Sequence, residues 1–202
     1  MEERYGSNLG HHGERPDPFR TLIGCVLSQR TRDKNAEKAA EALFAEASTP
    51  SEVLNLGEER LRRLIRCSGF FNQKARRIMG ICETLINDFE GRIPDERKLL
   101  LSLPGVGCKT ADIVLSHAFD EPAIAVDTHV DKVAKRLGLV GREADPEEVK
   151  RILETLVPRG KLRFVDSAFV QLGKEYCQSR IPRCFECFLN HLCKFPRRKD
   201  KK

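Results

Sequence analysis

The chain has 202 residues, 33% of them charged, with 36 Lys and Arg against 30 Asp and Glu and a formal net charge of +6. Mean hydropathy is −0.43, and no apolar run approaches the roughly 18–20 residues that a membrane-spanning helix needs. The first residues, Met1-Glu2-Glu3-Arg4-Tyr5, have neither the apolar core of a signal peptide nor the acid-free composition of a transit peptide, so a cytoplasmic protein is expected, or a nuclear one in a eukaryote.

Residues 1–17 are polar and contain Gly, Pro and His, and read as loop or frayed end. From Pro18 the pattern is helical, with Thr21–Leu27 apolar enough to be buried. Ala36, Ala39, Ala40, Leu43 and Phe44 follow the spacing of one helix face. Thr49-Pro50-Ser51-Glu52 reads as a helix start, a capping residue ahead of proline. Leu61, Leu64 and Ile65 belong to a further short helix that breaks near Gly69. The clearest helix is Lys74–Phe89, with Ile78, Ile81, Cys82, Leu85, Ile86 and Phe89 on one face and Gly91 as its stop. Asp95–Leu103, Lys109–Phe119, Asp131–Leu137, Pro146–Leu156 and Arg163–Gly173 complete a set of about ten short helices. Only Ala123-Ile124-Ala125-Val126 has the character of a strand, and one strand makes no sheet. The expected fold is all-α.

The eight cysteines fall into two groups. Cys25, Cys67, Cys82 and Cys108 are scattered through apolar surroundings, where a free thiol behaves as a small hydrophobe. Cys177, Cys184, Cys187 and Cys193 are spaced C-x6-C-x2-C-x5-C, and four thiolates so close in sequence can converge on one metal centre. Zinc and a four-iron cluster both accept four cysteines, and two disulfides are the remaining alternative. Arg180, Arg183 and Lys194 interleave with the ligands, and Lys194–Lys202 carries six Lys or Arg against one Asp. Such a basic end attracts phosphate backbones or serves as a solubilising tail.

Leu103-Pro104-Gly105-Val106-Gly107-Cys108-Lys109-Thr110-Ala111-Asp112 lies between two helical segments. Pro104 stops the first, and Gly105 and Gly107 allow positive φ. They also let a phosphate approach N–H groups at the start of the next helix. That is the logic of a helix–hairpin–helix grip on a DNA backbone; an ordinary helix corner is the plain alternative. A nucleotide P-loop is excluded, because the four-residue spacer between glycines is absent and no strand precedes. Lys109, near a helix N-terminus, is placed against the helix dipole, as expected of a lysine kept for chemistry. Eighteen residues on, Asp127 follows an apolar run. It caps the next helix, or faces Lys109 across a cleft, or does both.

LPGVGxKTA, AVDTH and the four-cysteine loop, in this order from about Thr21 to Phe195, resemble the endonuclease III branch of the helix–hairpin–helix–Gly/Pro-Asp DNA glycosylases. The resemblance implies two helical subdomains. One is a barrel, 18–121, bearing the hairpin; the other joins 1–17 with 122–193 round a [4Fe–4S] cluster held by Cys177, Cys184, Cys187 and Cys193, and a basic tail follows at 194–202. It also implies a cleft with Lys109 as nucleophile on one wall and Asp127 as the essential carboxylate on the other. The amine attacks the sugar C1′ of a damaged nucleotide, expels the base and leaves a Schiff base, and β-elimination then cuts the strand. The amine attacks only when neutral, which burial or neighbouring positive charge favours.

The target leaves the stack first, so a plug is needed. Phe70 is the candidate wedge, and Gln29 or Arg30 the contact to the orphaned base. Gly105, Val106, Gly107 and His129 are expected at the DNA backbone. Two departures from relatives stand out: Arg30, where bacterial relatives carry glutamine, and Asp112, where they carry asparagine. Asp112 either pairs with the Lys109 amine or faces away. The expected function is a bifunctional glycosylase/AP lyase acting as a monomer in the cytoplasm, nucleoid-associated, on oxidised pyrimidines or abasic sites in double-stranded DNA. The alternatives are a mismatch thymine or uracil glycosylase on the same scaffold and a non-catalytic DNA-binding module.

Overall fold

The computed structural model describes residues 1–9 and 15–195, and these form ten α-helices, a single 3-10 turn and no strand. In chain order they are α1 (Glu2–Leu9), α2 (Pro18–Ser28), α3 (Asp33–Phe44), α4 (Pro50–Leu64), α5 (Phe71–Phe89), α6 (Arg97–Ser102), α7 (Cys108–Ala118), α8 (Thr128–Leu137), α9 (Pro146–Leu156) and α10 (Leu162–Glu175), with the 3-10 turn at Arg159–Lys161. The all-α expectation holds. Most of the basic tail lies outside the described residues. Among the described residues, no helix is long and apolar enough to cross a membrane.

Two local readings are corrected. The N-terminal stretch contains α1 rather than loop, with Tyr5 buried. A single short helix has no stability of its own, and this one is held by its ring contacts. Tyr5 packs edge-on to Phe188 at 5.9 Å, and Arg4 lies over the rings of Tyr176 and Phe188 at 5.1 and 5.4 Å. Ala123–Val126 is not a strand; Ala123, Ile124 and Ala125 are buried, and the Ile124 N–H donates to Glu154 on α9 at 3.1 Å.

Contacts along the chain define two units, Glu14–Glu121 and Met1–Gly13 with Pro122–Lys202. In the first, Leu22, Ile23, Val26 and Leu27 of α2 meet Leu43 of α3, Leu61 of α4, Ile78, Ile81 and Leu85 of α5, and Val114 of α7, all fully buried. Helix α4 starts with a full capping box, Thr49 accepting from the Glu52 N–H while the Glu52 carboxylate takes the Thr49 N–H. It is kinked at Gly57, whose φ of 73° breaks the helical run between the two segments read from sequence. The second unit centres on Ile124, Val130, Val133, Val149, Leu153, Phe169 and Leu172.

Two buried charges tie the first unit together. Lys74, at the start of α5, is only 3% exposed, and its ammonium donates to Leu27 O at 2.6 Å and to Thr31 Oγ1 at 2.7 Å. Burial, helped by the nearby charge of Arg77, pulls Lys74 down to about 8. Asp112 of α7, 2% exposed, accepts from Arg97 of α6 through Nε at 2.8 Å and Nη2 at 3.3 Å. This fork latches the two helices that flank the glycine loop.

Asp112→Ala removes this fork and is expected to cost about 1.5–3 kcal/mol, the value of hydrogen bonds to charged groups. Asp112→Asn, which keeps one acceptor oxygen, loses less; urea unfolding of the three chains measures the order. For Lys74 the folded value near 8 lies below the ordinary 10.5, so between these limits the unfolded chain binds the extra proton and stability rises with pH. Relative to Lys74→Met, the wild type is expected to gain stability from pH 8 to 10.5; a difference that is flat or falls across that window refutes the buried ammonium.

Candidate active site and nucleic-acid interface

The hairpin loop is built as its residues dictate. Gly105 takes a φ of 71°, a left-handed conformation that favours glycine, and the Arg77 side chain lies over its open face. Gly107 adopts an ordinary φ of −101° as the N-cap of α7, so of the two glycines that allow positive φ only Gly105 uses it. Open space surrounds Gly107, so its backbone is approachable. Val106 turns its side chain into the core and spends its N–H on Leu103 O at 3.1 Å. It therefore shapes the loop, while the exposed glycines present the backbone.

Lys109 is exposed on the first turn of α7, at the second helical position. Beneath it Cys25 of α2 is half-buried. Burial pushes that thiol up to about 11, and the Lys109 charge offsets part of the rise. The structure gives Asp112 to Arg97 in a two-pronged bond, a partner the sequence reading did not consider.

Asp127 is the N-cap of α8. Its Oδ1 accepts from the N–H groups of His129 and Val130, both at 2.8 Å. This capping fixes the carboxylate, since one oxygen satisfies two otherwise orphaned helix donors. His129, half-buried in the same turn, is pressed against α10. A Cβ on Gly173 would lie 2.4 Å from its Nδ1, and burial lowers its pKa.

The two loops read as wedge and base contact meet in one cavity, lined by Gln29, Arg30, Phe70, Gln73, Lys74 and Arg77. Arg30 and Phe70 both hold left-handed backbones, with φ of 51° and 58°, which side-chain-bearing residues adopt at a cost. Their side chains touch, the guanidinium 5.9 Å from the ring centroid. Phe70 is 56% exposed, which suits a wedge and not a core residue. Thr31 Oγ1, besides serving Lys74, accepts the Gly69 N–H at 2.9 Å, so the two loops are stitched together.

All four clustered cysteines line a second cavity, walled by Val133, Leu137, Leu172 and Tyr176. None is in a disulfide, and burial raises the Cys187 thiol. Arg136 of α8 donates to Cys177 Sγ at 3.4 Å and to the carbonyls of Gln178 and Ser179 at 2.8 and 3.2 Å. Among the described residues, no group of three or more His, Cys, Asp or Glu side chains is arranged to hold a single metal ion. Four soft sulfurs lining one apolar-walled space are, by their chemistry, the donor type that thiophilic metals take.

Sequence reasoning missed the supports: Lys74, Arg77, Arg97, Lys132, Arg136 and Gly173. Lys74 gave a signal, since it falls four residues before Ile78 on the apolar face of α5. Gly173 gave another, as a glycine inside a helical pattern with a packing reason. The arginines gave none that separates them from solvated charges.

Residues 23–159 match the HhH-GPD superfamily base excision DNA repair proteins. Endonuclease III of Thermotoga maritima is 46% identical over 185 residues, 92% of this chain and 86% of that protein. A trapped covalent endonuclease III–DNA intermediate superposes with a TM-score of 0.87 at 36% identity, covering 96% of this chain and 91% of the other. A thermostable thymine-DNA glycosylase gives 0.83 at 28% identity, covering 92% and 89%. The hairpin bearing Lys109 and the loop bearing Asp127 both fall within the matched span, and the chain belongs to the HhH-GPD superfamily of base excision DNA repair proteins.

Proposed function

We propose that the chain is a bifunctional DNA glycosylase/AP lyase that removes oxidised pyrimidines from duplex DNA. The observation that carries this reading is an exposed lysine, Lys109, on the first turn of the helix behind a glycine loop open to a phosphate backbone. The relatives named endonuclease III support it. Gly105 and Gly107 carry the backbone contact, with Val106 shaping their loop and His129 as a further contact. Phe70 fills the space of the extruded nucleotide, and Gln29 and Arg30 meet the base left behind.

The chemistry divides between two groups. The Lys109 Nζ lone pair attacks C1′ as the C1′–base bond breaks, and the base leaves with that electron pair and a proton. The proton the base takes is the one the new C1′-bound nitrogen sheds. The C1′–O4′ bond then opens, O4′ keeping its electrons and taking a proton from water, to give a protonated imine that acidifies C2′. Loss of a C2′ proton expels the 3′ phosphate by β-elimination. Asp127 supplies the negative charge that stabilises the cationic sugar as the base departs. Cys177, Cys184, Cys187 and Cys193 would hold a [4Fe–4S] cluster. A fully ligated cluster has no open position for substrate, so what it supplies when bound is the shape of its loop.

Borohydride added during reaction with duplexes carrying thymine glycol, uracil or an abasic site is expected to trap a covalent adduct with thymine glycol and the abasic site. Lys109→Gln abolishes it; no adduct on any duplex overturns the lyase. Asp127→Asn keeps a capping oxygen, so folding stability changes little, while excision falls roughly a hundredfold or more with the charge gone. The purified protein is expected to be brown and to contain iron and acid-labile sulfide; a colourless, zinc-loaded protein overturns the cluster.

A further inference from the structure

The second unit holds a basic cavity that none of the chemistry above uses. It lies at the C-terminal end of α8, has a volume of about 700 Å³, and is lined by Lys132, Lys135, Arg136, Arg142 and Lys194. Among the described residues Asp131 is its one carboxylate, and Lys135 already holds it at 2.7 Å. Arg136 is spent on the Gln178 carbonyl at 2.8 Å and Lys132 on Ser179 Oγ at 3.3 Å. Arg142 and Lys194 are exposed, and among the described residues neither bonds a carboxylate. The Lys194 side chain lies over Gly138, and open space surrounds Gly141 beside Arg142. Cations in the last turn of a helix complement its dipole, which accounts for Lys135 and Arg136. It does not account for Arg142 and Lys194, which come from separate segments beyond the helix and gather on the same wall.

Five cations against one paired carboxylate make this groove a site for an extended anion. It has little with which to read bases, since its one ring, Phe195, lies under the Arg136 guanidinium at 4.4 Å. A wall of this kind binds phosphates without regard to sequence. We propose that the groove is a second DNA-backbone site, which holds a stretch of duplex separate from the one bearing the lesion. The proposal rests on the reading of the chain as a DNA enzyme and not on its lyase chemistry. Asp127 caps the first turn of α8 while the groove is built on the last, and ten residues put roughly 15 Å between the two ends. Exposed charges more than about 8 Å apart are largely screened at physiological salt. The groove therefore does little for phosphates flanking a sugar at Asp127, and its potential acts on whatever backbone enters it. A protein that grips two stretches at once passes from one to the other without leaving DNA, which speeds the search for a rare lesion.

Binding to a protein whose lesion site is already filled tests this directly. The full-length chain is saturated with a short duplex carrying a non-cleavable abasic analogue, and a labelled undamaged duplex is then titrated in at several salt concentrations. The filled wild type is expected to bind the second duplex. Arg142→Gln combined with Lys194→Gln is expected to weaken that binding roughly tenfold or more and to lower the slope of log affinity against log salt by about 2, each phosphate contact contributing roughly 0.9. Arg151→Gln combined with Arg159→Gln removes the same charge from exposed positions outside the groove and is expected to keep the second duplex. A filled complex that binds no second duplex, or loses it equally in both double variants, overturns the site. So does displacement of the second duplex by inorganic phosphate or a poly-glutamate peptide as readily as by unlabelled duplex at constant ionic strength, which marks a small-anion or acidic-protein site instead. Loss of borohydride trapping with second-duplex binding intact would sink the lyase and leave this site standing.

Discussion

Leu27 O belongs to the last turn of α2, where helix carbonyls run out of partners and the dipole presents its negative end. The Lys74 ammonium from α5 answers both needs at once, accepted there at 2.6 Å. Its second bond, to Thr31 Oγ1, holds the residue that also takes the Gly69 N–H. One cation therefore terminates a helix and ties the 27–31 loop to the 69–70 loop. Taking an ammonium out of water is costly, and its depressed value near 8 measures how much of that cost remains. The chain tolerates it because an uncharged residue at 74 would leave the helix-end carbonyl and the threonine without their common donor.

Everything proposed for recognising the base opposite the lesion hangs from that anchor. Arg30 and Phe70 sit in left-handed backbone, at φ of 51° and 58°, and each such residue costs of order 1–3 kcal/mol where glycine would cost nothing. Side chains kept at strained loop tips argue that the side chains are used. Neither tip is held by hydrophobic packing; the guanidinium–ring contact at 5.9 Å is worth well under the combined strain. The stitching by Lys74 and Thr31 is what keeps two strained tips side by side, and Arg77 extends the same scaffold to the hairpin through Gly105.

How much of this was legible in the sequence depended on which force acted. Helix α9 was read to its ends, Pro146–Leu156, because a capping Asp145, a first-position proline and a clean apolar period all agree. Helix α5 was entered three residues late, since Phe71-Asn72-Gln73 carries no period. Helix α1 was missed because its stability comes from Phe188 and Tyr176, far along the chain. The cysteines and Asp127 were found by spacing and by capping, which are local. Asp112 was seen as odd, yet its partner Arg97, fifteen residues earlier, had nothing in the sequence to mark it.

Helix α8 links the cysteine loop to the carboxylate at its own N-terminus. Asp127 caps the first turn of this helix, and Arg136 lies in its last. Arg136 bonds Cys177 Sγ and the carbonyls of Gln178 and Ser179, and its guanidinium lies 4.4 Å over the Phe195 ring. Lys132, one turn earlier, reaches Ser179 Oγ at 3.3 Å. The loop is thus clamped along the same helix whose N-terminus fixes Asp127, while Gly173 seats His129 against α10 from the other side. A ten-residue helix transmits position as a rigid rod, so a loop that lost its shape would release Arg136 and Lys132 and slacken the register of α8. A loop that keeps its shape would in this way hold α8, and with it the carboxylate at its N-terminus, in place.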